Sequence, residues 1–309
     1  MHDDAGASVA SLSQLELKLE DRVVFTLDLA ARWGFAVEVQ RLGDMLLGGA
    51  VERTELADVL ARSARIYSAS GFATLLGHES LIEKSVARTR SHSALNGAGR
   101  LIAERYSTEL VRLCPWVRSV ALSGSIATGG FAFGDDLDFD LFVDDDTRYL
   151  TYLLGMALGT LISLRHRRLG VSSSLLRKLI CINVVWTASE SRPFVRQDDA
   201  MAFELSLAQP LFGVSEFAEV LRSNPNLTRT FPQMLDRVLS EVPRPTPSRL
   251  GRLLWSTIQR PLLRRTIDRL CRAASWFAYH AYSLVLSPEG RERRRFLQRA
   301  KYPYEIFQD

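Results

Sequence analysis

Apolar residues recur at helical spacing through Asp21–Trp33 and stop at Gly34, which predicts a first helix and its terminus. The same spacing predicts a second helix over Val37–Leu47, ended by Gly48-Gly49, and a third over Thr54–Arg62. Ile66–Gly77 then changes to two short strand-like runs around a Ser-Gly turn. A longer helix is predicted from Ser91 to about Cys114. Leu101, Ile102, Tyr106, Leu110, Val111 and Leu113 are its apolar positions, and Pro115 ends it.

Beyond Pro115 the period shortens. Strands are predicted at 118–123 and 136–143, followed by a helix from Arg148 to Leu169 that stops at Gly170. Leu179–Trp186 is apolar almost without interruption and of strand length, which predicts a central buried strand. Helices dominate from about residue 198, and Pro243, Pro245 and Pro247 mark a linker. No internal repeat is present. The expected fold class is α/β (α+β), with a mixed sheet flanked by helices. Residues 1–14 are polar and expected to be disordered. Residues 15–95 have the helix-helix-helix-hairpin order of a winged-helix unit. Residues 96–242 form the core, and 243–309 a basic helical region.

Composition narrows the class. At 309 residues, 47% hydrophobic and 24% charged, the chain fits a globular protein with sizeable cores. Cys114, Cys181 and Cys271 are odd in number, far apart and without C-x-x-C spacing. They predict neither a disulfide framework nor a zinc site, and favour a reducing, cytoplasmic location. The polar N-terminus is unlike a secretory signal, and Leu150–Leu164 is too short and mixed for a membrane span, so no membrane partner is expected. Net charge is +4, and Arg252–Asp309 holds twelve Arg/Lys against five Asp/Glu. Solvated helix faces explain this excess, and a surface for RNA, nucleotide or an acidic partner is the alternative.

The chemistry concentrates in Leu122–Val143. A strand-like run ends at Gly124-Ser125, ten residues intervene, and the next strand carries aspartates at alternate positions. With a period of two, Asp136, Asp138 and Asp140 share one face, and Leu137, Phe139 and Leu141 the other. Carboxylates gathered on one face repel each other unless a cation is present. A divalent metal is the natural partner, and beside a Gly-Ser turn it suggests a phosphate chain.

Gly124, Ser125, Ala127, Gly129, Asp136 and Asp138 resemble the signature of the DNA polymerase β-like nucleotidyltransferase superfamily: Gly-Ser, a spacer, then Asp-x-Asp. Further segments look like one prokaryotic group of nucleotidyltransferase-domain proteins. They are the Gly71-Phe-x-x-Leu75 hairpin, Leu179–Asn183 and Phe203–Gly213, so the resemblance spans about residues 20 to 235. It implies a nucleotidyltransferase core acting by in-line displacement at the α-phosphorus of a nucleoside triphosphate. In that scheme Gly124 and Ser125 bind the phosphates, and Asp136 and Asp138 hold Mg²⁺. A nucleoside monophosphate, most often AMP in the superfamily, passes to an acceptor hydroxyl on a small molecule, RNA or protein.

One position departs from the pattern. The superfamily usually carries a third carboxylate on a neighbouring strand, whereas Lys178–Trp186 has no acid and its polar residue is Asn183. Asn is not a general base and binds metal weakly. Asp140 is a candidate third catalytic acid, about 7 Å further along the same strand; Glu204 is a distant one. The remaining alternatives are a nucleophile that needs no base, or a fold that binds nucleotide without catalysis. Two other functions stay open: a nucleotide-sensing, nucleic-acid-binding regulator, and a toxin-like transferase acting on tRNA.

Secondary candidates have plainer explanations. Asp144, Asp145 and Asp146 precede a helix for which Asp146 or Thr147 is the expected N-cap. Arg165, His166, Arg167, Arg168, Arg177 and Lys178 form either a solvated turn or a phosphate- or acceptor-binding cluster. His78, His92 and His280 lack metal-ligand spacing and read as structural.

Overall fold

Helical periodicity at the start of the chain becomes α1 (Leu19–Arg32), which buries Val23, Leu27 and Ala30 and ends before Gly34 at φ +80°. A computed structural model describes residues 17–166, 179–236 and 240–285, of which 278–285 by backbone alone. The expected disordered stretch 1–14 lies outside the described residues.

The predicted second helix is broken up. Val37–Glu38 forms a short strand, β1, followed by a single helical turn, α2 (Val39–Leu42), and a 3-10 turn at Gly43–Met45. Val37 pairs with Ala73 and Glu38 with Phe72, so backbone pairing to a distant strand overrides the local helical spacing. α3 (Arg53–Arg62) leads to the hairpin of β2 (Ile66–Ala69) and β3 (Phe72–Leu75). Ser70 at φ +53° and Gly71 at φ +78° make its turn, as the favoured hairpin geometry requires. The three strands are antiparallel in the order β1-β3-β2.

α4 (Ser80–Leu113) starts eleven residues before the predicted helix, because Glu83, Lys84, Arg88 and Arg90 hide its apolar spacing. After it come β4 (Val117–Ser123), α5 (Gly124–Thr128), β5 (Leu137–Val143), α6 (Arg148–Arg165) and β6 (Ile180–Thr187). The chain continues through α7 (Ala188–Ser191), α8 (Asp199–Leu207), β7 (Gln209–Phe212), α9 (Val214–Arg222), α10 (Pro225–Thr230), α11 (Arg249–Ile258) and α12 (Pro261–Val285). The expected end of α6 at Leu169–Gly170 lies outside the described residues.

Among the described residues, a second sheet has the order β6-β5-β4-β7. β5 pairs with β6 in parallel, and β4 is antiparallel to both β5 and β7. The class is therefore mixed α/β with two sheets, one of them mixed. β6, predicted to be central, is instead an edge strand among the described residues. Its apolarity reflects cover by α6, which lies close enough that a Cβ at Gly155 would be 2.6 Å from Ile182 Cδ1. β7 arises where helices were expected to dominate, and Pro210 is tolerated because β7 is an edge among the described residues.

The chain divides into two units, each with its own core. One takes the described residues up to Val86 together with Arg196–Ser206 and 224–236; the other takes the remainder. This division cuts across the expected boundaries at 95 and 242, because later segments complete the first unit. Phe35 stacks on Phe203, and Gly48 N–H donates to the Thr230 carbonyl at 2.7 Å. In the second unit Trp116 is fully buried and donates from Nε1 to Thr151 Oγ1 at 2.7 Å. Thr147 takes the expected N-cap position of α6. Its hydroxyl donates to the Asp144 carbonyl, however, and Asp268 Oδ1 of α12 accepts the Leu150 N–H at 2.9 Å.

Gly213 caps α9 at φ +65°, and a Cβ there would come within 1.9 Å of the Arg118 carbonyl oxygen. Gly213→Ala therefore combines left-handed backbone strain with a backbone clash. The expected loss is roughly 2–4 kcal/mol, read as a lower urea midpoint at unchanged slope.

Candidate metal centre

β4 ends at Ser123, and the chain leaves the sheet at Gly124, whose φ of +63° belongs to the left-handed region that glycine adopts freely. The single turn of α5 follows and closes at Gly129, also left-handed, with the Gly130 N–H donating to the Ser125 carbonyl at 2.8 Å. Two residues of α4 tether the next loop. Arg88 pairs with Asp135, whose Oδ2 also accepts the Ala132 N–H at 3.0 Å. His92 Nδ1 accepts the Phe131 N–H at 3.3 Å, so His92 is structural as expected. This returns the chain as β5.

Ladder register then decides which side chains meet. Asp138 pairs with Ser123 on β4 and with Cys181 on β6, so the three stand in one row across three strands. The Asp138 carboxylate lies against Gly124, where a Cβ would fall 2.1 Å from its Oδ2. Only glycine permits that approach. Asp136, Asp138 and Cys181 are each half-buried, and their ligand atoms lie within 4.8 Å of one another.

Asp140 faces the same way but is fully buried. Its Oδ1 accepts from Ser123 Oγ at 3.1 Å and from Asn183 Nδ2 at 3.4 Å, while Oδ2 is buried without a hydrogen-bond partner. Burial pushes its pKa up from 3.8 to about 7, against the pull of the two hydrogen bonds. Asn183 falls at an irregularity where β6 shifts register between the partners of Phe139 and Asp140. Cys181 and Asn183, two residues apart, are both half-buried among buried neighbours, as strand alternation requires.

The arrangement gathers Gly124, Asp136, Asp138 and Asp140, with Ser125 half-buried on the adjoining turn. Glu204 is buried in α8, which belongs to the first unit, whereas the strands that carry the aspartates belong to the second. Asp144 pairs with Arg118, Asp145 accepts from the Ser189 N–H and Asp146 pairs with Arg265, so each has a partner in holding the turn before α6. Arg167, Arg168, Arg177, Lys178 and the His280 side chain lie outside what is described. Sequence reasoning missed Cys181, because cysteine counts as apolar in the run Leu179–Trp186. The alternation of Cys181 with Asn183 was its available signal.

The donor chemistry gives a divided answer on Mg²⁺. Two carboxylates suit a hard cation, and the partnerless buried oxygen of Asp140 fits a positive charge on this face. A thiol is a soft donor that Mg²⁺ does not seek. Among the described residues no helix is long and apolar enough to cross a membrane. Searches of family models, curated proteins and solved structures found no match to this chain.

Asp140 predicts a pH dependence. Its carboxyl is neutral up to about pH 7 when folded but only to about 3.8 when unfolded. The stability tied to its proton is therefore full below about 3.8 and lost as pH rises through about 7. In chelator-treated protein, Asp140→Asn should flatten that decline. The melting-temperature gain over wild type is expected to widen from pH 4 to pH 7 and then level off. A gain independent of pH would refute the assignment.

Proposed function

We propose that this protein is a Mg²⁺-dependent nucleotidyltransferase of the DNA polymerase β type. It would move a nucleoside monophosphate, AMP by resemblance, from a nucleoside triphosphate to a hydroxyl-bearing acceptor, releasing pyrophosphate. The observation that carries this reading is the contact of Asp138 with Gly124, which joins the acidic pair to the Gly-Ser turn. A triphosphate on that turn would have its phosphates beside the two carboxylates.

The backbone at Gly124 and the Ser125 hydroxyl would bind the phosphates, since no Cβ blocks approach at Gly124. Asp136 and Asp138 would hold Mg²⁺, which supplies charge neutralisation for the leaving pyrophosphate. The acceptor oxygen would bond to the α-phosphorus as the bond to the β-phosphate oxygen breaks. Asp140, fixed by Ser123 and Asn183 and with its proton affinity near neutrality, is the acid on this face suited to receive the acceptor proton.

A second reading is nucleotide binding without transfer. It is favoured by Cys181 and Asn183, which stand on β6, the strand where the resemblance would put the superfamily's usual third carboxylate. The first unit runs α1-β1-α2-α3-β2-β3, an order that resembles a winged helix and would make nucleic acid a partner. Its α3, however, balances Arg53 and Arg62 against Glu55 and Asp58. Such a helix brings little net charge to a phosphate backbone.

Incubation with ATP, CTP, GTP or UTP, Mg²⁺ and pooled cell RNA, protein and metabolites separates the readings. Transfer predicts labelled product and pyrophosphate, reduced at least a hundredfold by Asp138→Asn. Tight nucleotide binding without pyrophosphate release from any pool would leave the non-catalytic reading.

A further inference from the structure

We propose that Cys181 is a metal ligand, and that Asp136, Asp138 and Cys181 hold a thiophilic divalent ion of the zinc type in preference to Mg²⁺. The inference rests on the reading of Asp136 and Asp138 as a metal pair, and it changes the ion that the pair serves.

Three observations meet here. Parallel pairing puts Cys181 directly beside Asp138, and its sulfur lies within 4.8 Å of a carboxylate oxygen of each aspartate. Ligand atoms around a tetrahedral zinc ion stand about 3.3–3.7 Å apart, a separation that this limit contains. The third observation is independent of the cluster. Asp140, next on the same strand face and fully buried, has an oxygen with no hydrogen-bond partner. A buried carboxylate in that condition is stabilised by a cation on its own face.

The chemistry of the three donors then selects the ion. Mg²⁺ requires six oxygen ligands in octahedral array and gains little from sulfur. A zinc-type ion accepts two carboxylate oxygens and a thiolate, and keeps a fourth position for water or substrate oxygen. Binding displaces the thiol proton to solvent and forms the sulfur–metal bond, with no change of oxidation state. Cys114 is fully buried, and Cys271 belongs to α12, so neither joins this group.

Co²⁺, a spectroscopic stand-in for Zn²⁺, tests the proposal in the full chain. A thiolate-to-cobalt charge-transfer band is expected in wild type and in Cys271→Ser, and is expected to vanish in Cys181→Ser. Zn²⁺ affinity should fall at least about tenfold in Cys181→Ser, with Mg²⁺ affinity unchanged. Cys181→Asp should raise Mg²⁺ affinity by making the donor set all-oxygen. In wild type, Zn²⁺ but not Mg²⁺ should protect Cys181 from alkylation, a readout that needs no variant to fold. Bound Co²⁺ without the band, or alkylation at an unchanged rate under Zn²⁺, overturns the proposal. Loss of ion binding in Asp138→Asn but not in Cys181→Ser overturns it while leaving the transferase reading intact. The band without pyrophosphate release supports the ligand set and counts against transfer.

Discussion

Everything at the candidate site depends on the register of β5 between its two neighbours. Asp138 opposes Ser123 on one side and Cys181 on the other. A slip of one residue would turn all three aspartates to the opposite face, where Leu137, Phe139 and Leu141 form the core. The apolar half of β5 therefore fixes the polar half. Burying those three side chains is favourable by several kcal/mol in sum, and that energy also holds like-charged carboxylates on the other face. Gly124 adds a steric condition, since the row closes only if nothing projects from the residue after Ser123.

The part of the site written into one continuous segment was legible from sequence. Gly124-Ser125 and Asp136-x-Asp138 lie fourteen residues apart or fewer, and strand alternation correctly put Asp140 on their face. The part assembled by pairing between distant segments was not. Cys181 meets Asp138 only through a parallel ladder, and its apolar neighbours concealed it. β1 and β7 are two and four residues long, too short to show a period of their own. β6 was misplaced because a covered edge strand and a central strand share one composition.

Helix ends show the same division between local and distant information. Gly34 terminates α1 where the sequence indicates it. At the start of α6 the expected local cap is replaced by Asp268, 118 residues away from the N–H it receives. Local signals locate such boundaries well, but they do not identify which atom satisfies the backbone there.

The divided first unit bears on the order in which the chain matures. Its early segment supplies Leu46, Leu47 and Phe35, but Phe203 and Gln233, which donates to the Leu46 carbonyl at 2.9 Å, are made much later. About 140 residues separate Val86 from the last segment of that unit. At roughly 5–20 residues per second, a ribosome needs on the order of ten seconds to bridge them. The unit that begins first is therefore completed only after all strands of the other unit's sheet have been synthesised. A fragment cut at residue 86 or 95 would carry the helices and hairpin without the segments that close their core.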